Sequence, residues 1–461
     1  MKIQAGEKAV KEGKDVVRVR IVTGTLDEIV RLANGRQELV LAVEEPKKMT
    51  RRMLILLVRK IVSVAQAKRM KCLVLSLESL RFKSVPMESE DLGELCATNM
   101  LMAQHAFTEH LAKPKDGFPV IDEIVIEGAD RDFRRGLERG TIIGTETNAC
   151  RRLANLPGGD MTPSVLANEA RRVAAKLPIK VRILGVPEMQ KLKMGGVLGV
   201  GKGSAFPAKF IVMEYFGGKK GEAPTVLVGK GVTFDTGGIN LKPGDSMLGM
   251  NMDMSGGAAV IHALAAAARL KVKKNIVVLV PAVENMPSGT SYRPGDILRS
   301  MSGKTIQVDN TDAEGRIILA DALTYAKRYS PALVVDVATL TGAAVVALGE
   351  RASALFTQDR NLEQRLRELG ETSGDYVWPL PLWDEYDAEI KGTFGDVSNL
   401  GKTRWGGAIT AAAFLKQFAD GYPWVHLDIA PRMTAVEGEY LAKGAAGAPV
   451  RLLVKLLEGD K

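Results

Sequence analysis

From residue 181 to residue 429 the chain repeats one pattern: a short, almost wholly apolar run, a polar turn, then a helical stretch. The apolar runs fall at 181–184, 209–215, 225–229, 275–280, 332–337 and 424–429. Helical periodicity marks 161–176, 257–270, 314–328 and 409–418. A strand with no polar alternation needs cover on both faces, and helices in the connections supply that cover. The expected fold class is therefore α/β, with a mostly parallel central sheet flanked by helices. In such sheets ligands bind beyond the carboxyl ends of the strands.

The chain's 461 residues are enough for two hydrophobic cores. The amino-terminal part alternates strand-like runs at 16–22, 38–43 and 71–77 with helical patterns at 26–33, 50–67 and 90–111. It holds no catalytic motif. A helix-like run then ends at Asn155-Leu-Pro-Gly-Gly-Asp-Met-Thr-Pro163, where Thr162 reads as an N-cap with proline at the first turn. The boundary is placed near residue 145. A smaller α/β domain at 1–145, with an oligomer or partner role, then precedes a catalytic domain at 146–461.

Composition excludes several classes. Charged residues make up 25% and apolar residues 46%, as in a soluble globular protein. The longest apolar stretch, 333–348, is broken by Asp336, threonines and glycine, so no membrane span is expected. Residues 1–14 are polar and lack the apolar core of a secretory signal. Cys72, Cys96 and Cys150 are scattered, which points to free thiols in a reducing cytoplasm. The four histidines, His105, His110, His262 and His426, form no His-x-x-x-His pair, so a zinc protease of the HExxH kind is excluded. A bound metal would have mainly oxygen ligands, which favours Mn²⁺ or Mg²⁺ and allows Zn²⁺. The net charge of +9 concentrates at 51–71, with seven basic residues and no acid. Arg51, Arg52, Arg59 and Lys60 are expected on one side of a helix, either as a solvated face or as a weakly supported nucleic-acid surface.

Two phosphate-binding motifs are incomplete. Gly196-Val-Leu-Gly-Val-Gly201-Lys202-Gly203 has glycine where a P-loop needs Ser or Thr, and Gly303-Lys304-Thr305 has Leu298 in place of the opening glycine. Both read as tight turns. A different cluster carries chemistry. Lys230, Asp235, Lys242 and Asp253 lie among glycines that let the backbone turn sharply, and Asp312, Glu314 and Arg316 open a helix downstream. Each alone could be a solvated or capping residue. Together, four acids and two lysines after apolar strands suggest a carboxylate metal site and a hydrolase. A phosphoesterase is the alternative reading, since such groups also suit phosphoryl oxygens.

The segments GKGVTFDTGGINLKP, MDMSGGAA and NTDAEGR resemble the leucyl aminopeptidase family, the cytosol aminopeptidases. The resemblance extends over roughly 145–461 and includes NLPGGDMTP and HLDIA. It implies a dinuclear metallo-exopeptidase with two divalent metal ions per subunit, Mn²⁺ or Zn²⁺, and peptide substrates. By resemblance, Asp235 and Glu314 bridge the metals, Asp312 serves the more exchangeable one, and Lys230 with Asp253 the tighter one. Lys230 ligates only as a neutral amine, a state that burial and metal charge favour. Lys242 is implied as the group that polarises the scissile carbonyl, and Arg316 as the holder of a bicarbonate general base. Met250 and Thr339 align with side-chain pocket positions, where methionine suits apolar side chains such as leucine. The resemblance further implies a cytoplasmic homohexamer, and some family members also bind DNA.

Overall fold

The structure is a computed structural model that describes residues 1–6 and 16–459. Most of the polar stretch 1–14 lies outside those residues. The chain forms two compact units, Met1–Asn148 with Ala435–Gly444, and Ala149–Thr434 with Ala445–Lys461. The division falls inside the helix Arg131–Ala154. No sequence feature marked 435–444 as belonging to the first unit.

The first unit holds six strands: β1 (Lys2–Gly6), β2 (Val16–Thr23), β3 (Glu28–Arg31), β4 (Gln37–Val43), β5 (Cys72–Ser76) and β6 (Glu123–Glu127). They form one sheet in the order β1-β6-β5-β2-β4-β3, parallel except for the β3–β4 pair. The helix expected at 26–33 is therefore wrong. The segment is an antiparallel hairpin arm, with Ile29 opposite Leu39 and Gly35 at φ +81° in the turn. Asn34-Gly35 is a strong hairpin signal, and it outweighs an apolar spacing that fits either period.

The helix Arg51–Ala67 starts where Thr50 accepts the amide of Met53. Arg59 departs from the expected basic face. It is buried, its Nε donates to Asn99 at 2.9 Å, and its guanidinium pairs with Glu439 at 3.4 Å. Lys60 is held by Asp27 at 2.8 Å. The helix Ser89–Gln104 ends earlier than the sequence pattern did. It packs against Arg131–Ala154 along Gly136 and Gly140, where a Cβ would come within 2.0 and 2.3 Å of the carbonyls of Glu90 and Glu94.

In the second unit, β7 (Lys180–Leu184), β8 (Lys209–Phe216), β9 (Thr225–Gly229), β10 (Gly231–Asp235) and β11 (Asn275–Asn285) come first. Then follow β12 (Ile297–Arg299), β13 (Thr305–Gln307), β14 (Leu333–Ala338), β15 (Ser353–Phe356), β16 (Val377–Pro379), β17 (Val397–Ser398) and β18 (Trp424–Asp428). The main sheet runs β16-β15-β18-β14-β9-β11-β8-β7, with β10 also paired to β11. Its centre, β18-β14-β9-β11, is parallel, and β8 and β7 extend it antiparallel. This is the mixed, parallel-rich α/β fold read from the apolar runs. All eleven residues of β11 are buried, consistent with helical cover on both faces. β12, β13 and β17 form a small separate sheet. Among the described residues, no helix is long and apolar enough to cross a membrane.

Candidate active site

Lys230 follows β9 directly, Asp235 ends β10, and the loop after β14 begins at Thr339. Glu314 starts the helix Glu314–Ala326, where the positive end of the helix favours a carboxylate. The polar cluster thus gathers at the carboxyl ends of the parallel strands. Close approach depends on two glycines. A Cβ on Gly315 would lie 2.7 Å from Lys230 Cε, blocking the lysine's path to the acids. Gly237, at φ +86°, lets the loop after Asp235 turn back, and a Cβ there would meet Asn240 O at 2.4 Å.

Lys230 Nζ lies 2.8 Å from both Asp253 Oδ2 and Glu314 Oε1, and donates to the carbonyl of Thr339 at 2.8 Å. Lys242 Nζ lies 2.9 Å from Asp235 Oδ2 and 2.5 Å from Asp312 Oδ1. Oxygens of Asp235, Asp312 and Glu314 sit within 4.8 Å of one another. The structure therefore brings together all six acids and lysines singled out in the sequence, with Arg316 on the same cavity wall. That cavity, about 460 Å³, is also lined by Met250, Thr339, Leu340, Leu400 and Met433. Thr339 donates its hydroxyl to Asp253 Oδ1 at 2.6 Å.

The electrostatics follow from burial. Burial opposes the charge on Lys230, but the carboxylates of Asp253 and Glu314 overcome it and hold the ammonium above its ordinary range. Lys242 is raised in the same way against burial, chiefly by Asp235. Burial first, and the Asp235 charge next, raise the carboxyls of Glu314 and Asp312. Burial also raises Asp253, against the pull of Lys230. Arg316 is pushed down to about 10 by burial.

The donor set suits divalent metal ions. Asp253 Oδ2 and Glu314 Oε1 are buried against the Lys230 ammonium, and Asp312 Oδ1 against that of Lys242, so each inward carboxylate oxygen already faces a cation. Buried carboxylates need positive charge beside them, and the oxygens of Asp235, Asp312 and Glu314, within 4.8 Å of one another, form a cluster that metal ions could share. Arg316 Nε is buried with no hydrogen-bond partner, which leaves its guanidinium edge available to an anion.

Two supporting residues had no sequence signal beyond position. Asn285, at the end of β11, donates to Asp235 Oδ1 at 2.8 Å and to Thr311 O at 3.0 Å. Asp428, within the HLDIA segment, accepts the amides of Leu340 and Ala430 and the hydroxyl of Thr341. A polar residue at the end of a largely apolar strand was the clue to each, and for Asp428 its place in the HLDIA segment was another. The two phosphate-motif fragments lie elsewhere. Val197 N–H, at the start of Gly195–Val200, is taken by Asp321 Oδ2 at 2.9 Å, where a phosphate would have to sit. Gly303 forms the turn between β12 and β13.

Comparison with known proteins agrees with this geometry. Residues 148–454 match the catalytic domain of the cytosol aminopeptidase family. A probable cytosol aminopeptidase of Syntrophotalea carbinolica is 46% identical over 373 residues, 80% of this chain and 75% of that one. One from Burkholderia mallei is 45% identical over 377 residues, covering 81% and 74%. The bottromycin maturation enzyme BotP in complex with Mn superposes with a TM-score of 0.87 at 31% identity, covering 97% of this chain and 99% of that one. Fold and site together define a metal-dependent hydrolase of the exopeptidase kind. The chain belongs to the cytosol aminopeptidase family.

Proposed function

We propose that this aminopeptidase releases leucine and other apolar residues from peptide N-termini, using two divalent metal ions per subunit. The observation that carries the reading is the convergence of Lys230, Asp235, Asp253, Asp312 and Glu314, with oxygens of Asp235, Asp312 and Glu314 within 4.8 Å of one another. Asp235 and Glu314 would be shared between the ions, Asp312 would serve one, and Lys230 with Asp253 the other. When bound, the metals supply a site for the substrate's α-amine and a water made acidic enough to react near neutral pH. The oxygen-rich donor set favours Mn²⁺, in keeping with the Mn-bound neighbour, over Zn²⁺.

Lys242 pairs with Asp235 and Asp312, whereas Lys230 pairs with Asp253 and Glu314, and Lys242 is not needed as a ligand. Its ammonium would polarise the scissile carbonyl and stabilise the oxyanion that forms there. Arg316 would hold a bicarbonate ion as proton acceptor, in the place of a general base, since no histidine is among the residues that line the cavity. Met250, with Leu400 and Met433, gives the cavity an apolar wall suited to leucine-like side chains. Family resemblance supports a cytoplasmic homohexamer. DNA binding keeps only the remaining basic residues, such as Arg51 and Arg52, since Arg59 is buried.

The test sets hydrolysis of leucine p-nitroanilide against p-nitrophenyl phosphate in metal-stripped, Mn²⁺-restored protein. Anilide turnover that falls in Lys242→Ala without loss of bound metal supports the reading. Phosphate ester turnover in place of anilide turnover would overturn it.

A further inference from the structure

The Asp235 carboxylate is held on one side before any metal is considered. Its Oδ1 accepts the amide of Gly237 at 2.9 Å and the side-chain amide of Asn285 at 2.8 Å. Only Oδ2 is left to face Lys242 and the cluster. Asn285 is fully buried at the end of β11, and its second N–H reaches the carbonyl of Thr311, next to Asp312. One side chain therefore ties together two segments that carry candidate ligands.

Chemistry fixes the direction of this amide. Asp235 Oδ1 and Thr311 O can only accept, so the nitrogen of Asn285 must face both of them. Its oxygen then points the other way, where it is buried and accepts no hydrogen bond. Gly238, at φ +66°, passes that oxygen so closely that a Cβ would lie 2.9 Å from it. An unsatisfied buried oxygen is a cost, and an apolar residue of similar size would avoid it. The two donated hydrogen bonds are what such a residue could not supply.

We infer that Asn285 is a positioning residue for the metal centre, orienting Asp235 so that Oδ2 alone is presented, and setting its distance from Asp312. The inference rests on the reading of Asp235 as a metal ligand. Groups that orient ligands in this way typically change metal affinity by about 10–100-fold when lost.

The experiment titrates metal-stripped protein with Mn²⁺ and follows free Mn²⁺ by electron paramagnetic resonance. The variants are Asn285→Leu, Asn285→Ala, Asp235→Ala and Tyr292→Phe. Tyr292 donates its hydroxyl to the same Thr311 carbonyl at 2.7 Å, so it controls for a role confined to that loop. The expected result is an affinity loss of about 10–100-fold in both Asn285 variants, a larger one in Asp235→Ala, and wild-type binding in Tyr292→Phe. Turnover of the Asn285 variants should recover as Mn²⁺ is raised, because every ligand is still present. Two variants of different size guard against a folding failure in either one. Wild-type affinity in Asn285→Leu or Asn285→Ala, alongside a loss in Asp235→Ala, overturns the inference. So does an equal loss in Tyr292→Phe. Wild-type affinity in Asp235→Ala instead removes the ligand reading beneath it.

Discussion

Thr339 donates its hydroxyl to Asp253 Oδ1 at 2.6 Å. Its carbonyl accepts Lys230 Nζ, so a residue of the cavity wall also orders two of the candidate ligands. Thr339→Val keeps the shape and the carbonyl but removes the donor. A hydrogen bond to a charged group is worth about 1.5–3 kcal/mol, so Mn²⁺ affinity should fall by an order of magnitude or more. Thr339→Ser should retain it. Calorimetric titration checks this, and an altered leucine preference with unchanged metal affinity would contradict it.

Arg316 is buried and its Nε has no hydrogen-bond partner, which is the basis for placing an anion there. Arg316→Met should lower kcat by on the order of 10²-fold, the usual effect of losing a proton acceptor. It should also abolish any response to added bicarbonate. Initial rates in carbonate-depleted and bicarbonate-supplemented buffer give the comparison, with the wild type responding and the variant flat.

Asp428 fastens the cavity wall from below by accepting from Leu340, Thr341 and Ala430. Asp428→Ala would leave those half-buried donors without their acceptor. The expected loss of stability is about 1–3 kcal/mol, since an unsatisfied buried group costs about that much and half-buried donors recover part of it from water. Denaturant midpoints measure it. Asp428→Asn, which keeps one acceptor oxygen, should lose less.

Metal uptake should release protons. Burial raises the carboxyls of Glu314, Asp312 and Asp253, so without metal they keep their protons to higher pH than free carboxylic acids do. Lys230 is also raised, because its acidic neighbours overcome burial, yet only its neutral amine can ligate. Every one of these shifts makes the metal compete with protons, so Mn²⁺ affinity should climb as pH rises from 5 towards 8. Titration in buffers of different ionisation enthalpy reads the protons released. A pH-independent affinity would contradict the assignment.

The parallel core was legible because the runs 225–229 and 275–280 are almost wholly apolar without alternation, a pattern that burial on both faces explains. The charged cluster was legible because chemistry needs particular side chains and glycines, which leave marks in the sequence. The hairpin arm at β3 was not, since four residues fit either period and only Asn34-Gly35 decides them. Arg59 was not, because helical spacing says which residues share a side but not what covers it. Asn285 and Asp428 were hidden for a further reason. Their roles exist only once β11 and β18 end beside loops far away in the chain, and no local pattern encodes that meeting.

The central claim is that Glu314 and its neighbours hold two metal ions that act together on a peptide bond. Stepwise Mn²⁺ titration of the stripped protein, with leucine p-nitroanilide hydrolysis read at each addition, tests it most directly. The expected result is two ions per chain, full turnover only after the second, and loss of both stoichiometry and turnover in Glu314→Ala. Full activity with one ion or none, or an active Glu314→Ala, would contradict it.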